Sequence, residues 1–199
     1  AHHWYHEYLT AMGRFDEQMS EILYAEELDP LSLIINTDVG WGLYYARKYD
    51  AAIEQLRRTL ELDSNFAVAH LMLGMAQAQT NHLDEAATSI QRAVQLSSDP
   101  LTLAIGALGY VHAVSGKTTE AGAVIDRLQG LPNVRHASDY CQALILVGLG
   151  QHGAAIERLA RNPSYASGMR TTCVATMLEG GHAENALPQT ARAVVNCRI

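Results

Sequence analysis

The amino-acid sequence predicts an all-α fold, a right-handed α-solenoid of about five to six helix-turn-helix units. Three observations carry this. The 199-residue chain matches itself at a spacing of 34 residues. Apolar residues within each unit follow a helical period, as in Ile53, Leu56 and Leu60 or Ile90, Ala93 and Val94. One column between the two helices of a unit holds Gly13, Asn81, Gly116 and Gly150, residue types that enter left-handed backbone cheaply.

The units run at about 1-30, 31-64, 65-98, 99-133 and 134-162. In the first, the register places Tyr5 and Leu9 on the buried stripe. It turns His3 and Glu7 to the concave side and leaves His2 and His6 near the packing edges. His6 breaks a column kept small elsewhere, where the apolar-glycine pairs Val39-Gly40, Leu73-Gly74 and Leu108-Gly109 recur. The second unit is the most regular. Its Tyr49-Asp50 stands where the first has Phe15-Asp16 and the third Leu83-Asp84. Arg47 occupies the turn column here, at an expected cost of about 1 kcal/mol if the same backbone angle is kept. Asp16-Glu17 and Asp84-Glu85 put negative charge in the first turn of a second helix, where the helix dipole favours it. Ala52, Ala86, Ala121 and Ala155 form a second small column, and Leu28, Leu62 and Leu96 an apolar one, with Leu131 one residue late. The extra residue fits a loop insertion in the SSDP stretch at 97-100. Pro30 and Pro100 close units, since proline cannot continue a helix. Residues 163-199 are read as a degenerate sixth repeat or a C-terminal helical cap: Gly181 and Ala186 fit a sixth unit but arrive about three residues early, and Pro188 falls near the start of its second helix.

These columns, the YDAAIEQLRRTLELD second helix and the closing proline resemble the tetratricopeptide repeat, over roughly four fifths of the chain. The phrases HHWYHEYLTAMGRFDE and DPLSLIINTDVGWGLYYARKYDAAI are similar to repeat arrays at the C-terminal end of bacterial multidomain regulators. The chain opens inside a helical pattern without an initiator methionine, as expected of a piece of something longer. The resemblance implies that the first helices line a concave groove. It carries the groove columns onto Thr37, Trp41, Tyr44 and Tyr45 in the second unit, Leu71, Met75 and Gln79 in the third, Tyr110 and Val114 in the fourth, and Tyr140 in the fifth. Family members that hold the acidic C-terminus of a chaperone do so with lysines and arginines on that face. None of the groove columns here carries either, so the expected ligand is an apolar or proline-containing segment or a helix.

The remaining chemistry weighs less. A net charge of -7 excludes the basic field that nucleic acid or an anionic membrane requires. No apolar run approaches the length of a bilayer span. Cys141, Cys173 and Cys197 are too few and too separated for a disulfide framework or a zinc knuckle, which suits a reducing, cytoplasmic setting. His2, His3 and His6 have metal-ligand spacing, but one helix alone does not supply three or four converging ligands, so no cofactor or metal is expected. GLGQHG at 148-153 imitates a dinucleotide loop, yet Gly150 and Ala155 already belong to repeat columns and Arg170 stands where a carboxylate is needed. SGKTT at 115-119 lacks the earlier glycine of a phosphate loop, Val111 being there. The leading expectation is a non-catalytic scaffold for a protein or peptide partner. The alternative is self-association through the solenoid ends into homo-oligomers, and the least favoured is a metal protein or enzyme using the N-terminal histidines.

Overall fold

The computed structural model describes residues 2–97, 102–130, 135–168, 172–180 and 191–198. Five antiparallel helix pairs follow one another: α1 (His2–Ala11) with α2 (Phe15–Leu28), α3 (Leu33–Tyr45) with α4 (Tyr49–Leu62), α5 (Ala67–Gln79) with α6 (Leu83–Leu96), α7 (Thr102–Val114) with α8 (Thr118–Gln129), and α9 (Arg135–Gly148) with α10 (His152–Ala160). Each second helix packs on the first helix of the next pair, and successive first helices touch one another, so the pairs stack as a solenoid.

One turn, built five times, makes each pair. Gly13, Arg47, Asn81, Gly116 and Gly150 have φ of 70°, 59°, 64°, 75° and 73°. The residue after each donates its N–H back to the carbonyl five positions earlier, as in Lys48 to Leu43 at 2.9 Å and Gln151 to Leu146 at 2.8 Å, the bonding of a Schellman closure. That same residue caps the next helix, its carbonyl accepting from Gln18, Ala52, Ala86, Ala121 or Ala155. Arg47 therefore keeps the left-handed angle the turn column requires.

The small columns set the distance between helices. Ala52, Ala86, Ala121 and Ala155 are buried. A methyl on Gly74 would lie 2.4 Å from Ile90 Cγ1, and one on Gly40 2.7 Å from Leu56 Cγ, so these first helices approach their partners as closely as backbone allows. The first pair solves the same packing differently. His6 stands in the glycine column and Gln18 in the alanine column; both are buried, with His6 Nδ1 2.6 Å from Gln18 Nε2. Gln18 fits because Gly42 of α3 has no side chain there: a Cβ would sit 2.2 Å from Gln18 Nε2. Leu9 is buried as the register predicts, but Tyr5 is 44% exposed.

Buried polar bonds tie neighbouring pairs. Gln55 of α4 donates to Glu26 Oε1 of α2 at 3.0 Å and to Asn36 Oδ1 of α3 at 3.3 Å, while Asn36 donates to the carbonyls of Pro30 and Ser32. Cys141 is buried against α7, its Sγ 3.3 Å from the Thr102 carbonyl. The burial raises its thiol pKa to about 11.

Beyond α10 lie a short helix, α11 (Pro163–Gly168), and two strands, β1 (Thr172–Gly180) and β2 (Ala191–Arg198), paired antiparallel from Thr172 opposite Arg198 to Gly180 opposite Ala191. These strands stand where the sequence suggested a sixth helix pair or a helical cap, and Cys173 lies on β1 rather than on a helix. The segment TCVATML, rich in β-branched residues, suits the strand it forms. Pro100, Leu131, Gly181, Ala186 and Pro188, and most of the SSDP insertion, lie outside the described residues.

Candidate functional site

The first helices α3, α5, α7 and α9 carry the candidate groove on one wall. At its centre, Tyr44 of α3, Met75 and Gln79 of α5 and Tyr110 of α7 surround a cleft of about 80 Å³ floored by Ala78, Ile90, Ala107, Val111 and Leu144. None of these residues is charged. The aromatic rings continue outward: Tyr44 meets Tyr45 and Tyr49 with centroids 5.6 Å apart in each case, and Trp41 lies 5.9 Å from Tyr45. On α9, Tyr140 sits 6.1 Å from Tyr165 of α11. Burial first, and then the neighbouring tyrosines, pushes the Tyr44 hydroxyl pKa up to about 12; burial raises those of Tyr45 and Tyr140 as well. Tyr44 and Tyr110 thus stand at the central cleft, Tyr45 and Tyr49 in ring contact with Tyr44, and Tyr140 and Tyr165 pair between α9 and α11.

A second, larger cavity of about 350 Å³ opens at the N-terminal end of this wall, lined by His6, Glu7, Thr10 and Ala11 of α1 and Asp38, Trp41 and Tyr45 of α3. Two carboxylates therefore face the same space as two aromatic rings.

The structure brings together most of the residues expected on the groove and removes two. Trp41, Tyr44, Tyr45, Met75, Gln79 and Tyr110 line the two cavities. Val114 and Tyr140 are exposed. Thr37 is buried, its hydroxyl donating to the Leu33 carbonyl at 2.7 Å. Leu71 is buried in the cluster of Ala86, Ile90 and Ala104. Neither can present its side chain to a ligand. Trp41 and Tyr44 also pack part of their rings on the Ala52, Ile53 and Leu56 cluster, so they serve the core as well as the wall. Sequence reasoning missed Asp38, although its spacing to Trp41 and Tyr45, three and seven residues, puts the three on one helical face. It turned Glu7 to the concave side without assigning it a role.

The other candidates resolve into structure. His2 Nδ1 is 2.6 Å from Glu21 Oε2 and its ring stands edge-on to Tyr24. Among the described residues no group of three or more His, Cys, Asp or Glu side chains converges as a metal site. Residues 148–153 join helix α9 to helix α10, so the strand that a dinucleotide loop needs is replaced by a helix, and Gly116 is likewise an inter-helix turn. No helix among the described residues is long and apolar enough to cross a membrane.

Comparison with known proteins agrees with this architecture. Residues 38–100 match the tetratricopeptide repeat family model, a stretch that runs from within α3 to past the end of α6. No curated protein sequence matches. Among solved structures, a thermophilic TPR protein in Thermus thermophilus superposes with a TM-score of 0.66 at 15% identity, over 81% of this chain and 88% of that one. The crystal structure of MamA gives 0.55 at 21%, over 82% and 95%. The first TPR of Spaghetti (RPAP3), solved with the HSP90 peptide SRMEEVD, gives 0.52 at 16%, over 58% and 90%. At these identities the likeness is one of fold.

Proposed function

We propose that the chain, whose residues 38–100 match the tetratricopeptide repeat family model and whose fold is shared with solved TPR proteins, is a non-catalytic scaffold binding a peptide or helix of a partner protein in a concave, aromatic-lined groove. The observation that carries this reading is the central cleft, where three successive first helices each contribute an aromatic or flexible side chain to one uncharged recess. Such a wall offers apolar burial to an extended or helical segment and no counter-charge to a carboxylate. Tyr44 and Tyr110 act as rigid anchors and Met75 as an adaptable one. The RPAP3 domain was solved with a peptide ending in acidic residues. In this chain neither cavity of the groove is lined by lysine or arginine, so the ligand class is apolar or proline-containing. The N-terminal sequence phrases further support a place within a larger bacterial regulator.

The test is a pair of titrations, one with SRMEEVD and one with a capped proline- and leucine-containing peptide. The reading expects binding of the second alone, lost in Tyr44→Ala/Tyr110→Ala. Salt-sensitive binding of SRMEEVD at micromolar concentration would contradict it.

Self-association is a second reading, favoured by one observation. The N-terminal end exposes Trp4, Tyr8, Met12, Leu28 and Leu31, with Trp4 69% and Leu31 73% accessible. Light scattering across protein concentration tests it: a mass constant at one chain would leave the groove as the working surface.

A further inference from the structure

The strand register treats the three cysteines differently. Cys141 belongs to the solenoid, where it is buried with its Sγ 3.3 Å from the Thr102 carbonyl oxygen. Cys173 and Cys197 are far apart in sequence but directly opposed in the hairpin, Cys173 of β1 pairing with Cys197 of β2, next to the Thr172 and Arg198 pair at the open end. We propose that Cys173 and Cys197 are a redox-active pair that oxidises to an intramolecular, cross-strand disulfide and so closes the hairpin reversibly. The inference is independent of the groove reading.

The placement supplies what such a bond needs. Opposed residues of an antiparallel pair share one face of the sheet, with Cα atoms about 4.5 to 5.5 Å apart, inside the roughly 4.4 to 6.8 Å that a disulfide spans. The strands can therefore stay paired as the bond forms. Pairing is regular from Thr172 to Ala175, the irregularity falling further in, between Ala175 and Met177. A slip of one residue would set Cys173 against Asn196 or Arg198 and move it to the opposite face from Cys197, so the bond is specific to this register. Among the described elements the strands contact each other and pack on no helix to a comparable extent. A two-stranded hairpin by itself is marginal in water, and a cross-link that closes the long loop of residues 174–196 restricts the unpaired chain most. Oxidation should therefore stabilise the strand pairing.

The oxidant is a low-molecular-weight disulfide. One cysteine thiolate attacks a sulfur of that disulfide, whose S–S bond breaks to release one small thiolate; the other cysteine then displaces the second small thiolate as the Cys173–Cys197 bond forms. The two protein thiols lose two electrons to the small disulfide, and their two protons end on the two small thiols. Cys141 stays out of the exchange, because burial holds its thiol pKa at about 11 and leaves little thiolate at neutral pH. In a reducing setting the pair rests as the dithiol and the bond is transient.

The test equilibrates the full chain with reduced and oxidised glutathione, quenches with iodoacetamide after unfolding, and reads intact mass and linked peptides. The expected product is a monomer lacking two hydrogens, with Cys173 joined to Cys197 and Cys141 alkylated. The effective concentration of the pair, taken from the glutathione ratio at half oxidation, should be about tenfold higher in native buffer than in urea, where only the loop joins the cysteines. It should fall by a similar factor in Asn196→Cys/Cys197→Ser, which moves the second thiol one step out of register. Cys173→Ser/Cys197→Ser should form no internal bond and keep the helical circular dichroism of the parent. Equal effective concentrations in buffer and urea, equal values in the parent and the shifted variant, glutathione adducts without an internal bond, or a disulfide that includes Cys141 would each overturn the inference.

Discussion

Adding a single methyl at Gly74 should destabilise the solenoid far more than the same change at Gly40, although both glycines sit in the same column. The three atoms nearest a Cβ at Gly40 all belong to the branched end of Leu56, at 2.7, 2.8 and 3.3 Å, and that side chain can turn aside. A Cβ at Gly74 would meet Ile90 Cγ1 at 2.4 Å and the Ala86 carbonyl oxygen at 2.8 Å. Ile90 is β-branched and stiff, and the carbonyl belongs to the backbone of α6. Overpacking costs about 1 to 3 kcal/mol, and alanine returns about 1 kcal/mol of helix propensity over glycine. Placing Gly40→Ala at the low end leaves it near neutral; placing Gly74→Ala at the high end leaves a loss of about 2 kcal/mol. For a chain of this size that lowers Tm by about 4 to 8 °C. Thermal melts by far-UV circular dichroism, with urea titration as a check on the ordering, decide the matter. A Gly74→Ala protein that melts with or above Gly40→Ala would refute the close approach of α5 and α6 and the register built on it.

Arg47→Gly should raise Tm by about 1 to 2 °C, since relief of roughly 1 kcal/mol of left-handed strain at φ 59° is offset by about half through the added freedom of the unfolded chain; a lower Tm would contradict it. The raised Tyr44 pKa predicts alkaline loss of stability: its neutral form is favoured by the fold, so that contribution is intact below the ordinary tyrosine pKa near 10 and is lost as pH climbs toward about 12. Urea midpoints at pH 9 and above, compared between the parent and Tyr44→Phe, measure it, and parallel pH dependence in the two proteins would count against it. His6→Ala and Gln18→Ala should be less than additive, with a coupling of about 1 kcal/mol in a double-mutant cycle, because their side chains bond each other; full additivity would deny the pairing. Trp41→Ala should lower both stability and the affinity for an apolar peptide, because its ring is shared between the core and the cavity. A loss of stability alone would assign the ring wholly to the core, and a loss of affinity alone wholly to the cavity.

The repeat was legible because each structural demand is written in the sequence five times. The turn column tolerated one exception, Arg47, and the structure holds it at the angle of its neighbours. That Trp41, Tyr44, Tyr45, Met75, Gln79 and Tyr110 share one side of the first helices was legible for the same reason, since the columns of one repeat fix the face of the next. Thr37 and Leu71 were not, because whether a first-helix position faces the groove or the next pair depends on the rotation between stacked pairs, which no single unit encodes. Tyr5 was misplaced because the register names a helix face and not what covers it. The bonds from Gln55 to Asn36 and from His6 to Gln18 join residues that each look solvent-facing alone and become compatible only as partners. Past residue 163 the columns lapse, and with them the basis for reading helices.

The most direct test of the central claim is selection of binders from a random peptide display library on the immobilised chain, repeated on Tyr44→Ala/Tyr110→Ala. The account predicts enrichment of aliphatic or proline-containing sequences, and loss of that enrichment in the double variant. Enrichment of acidic C-termini, or the same sequences recovered from both proteins, would contradict it.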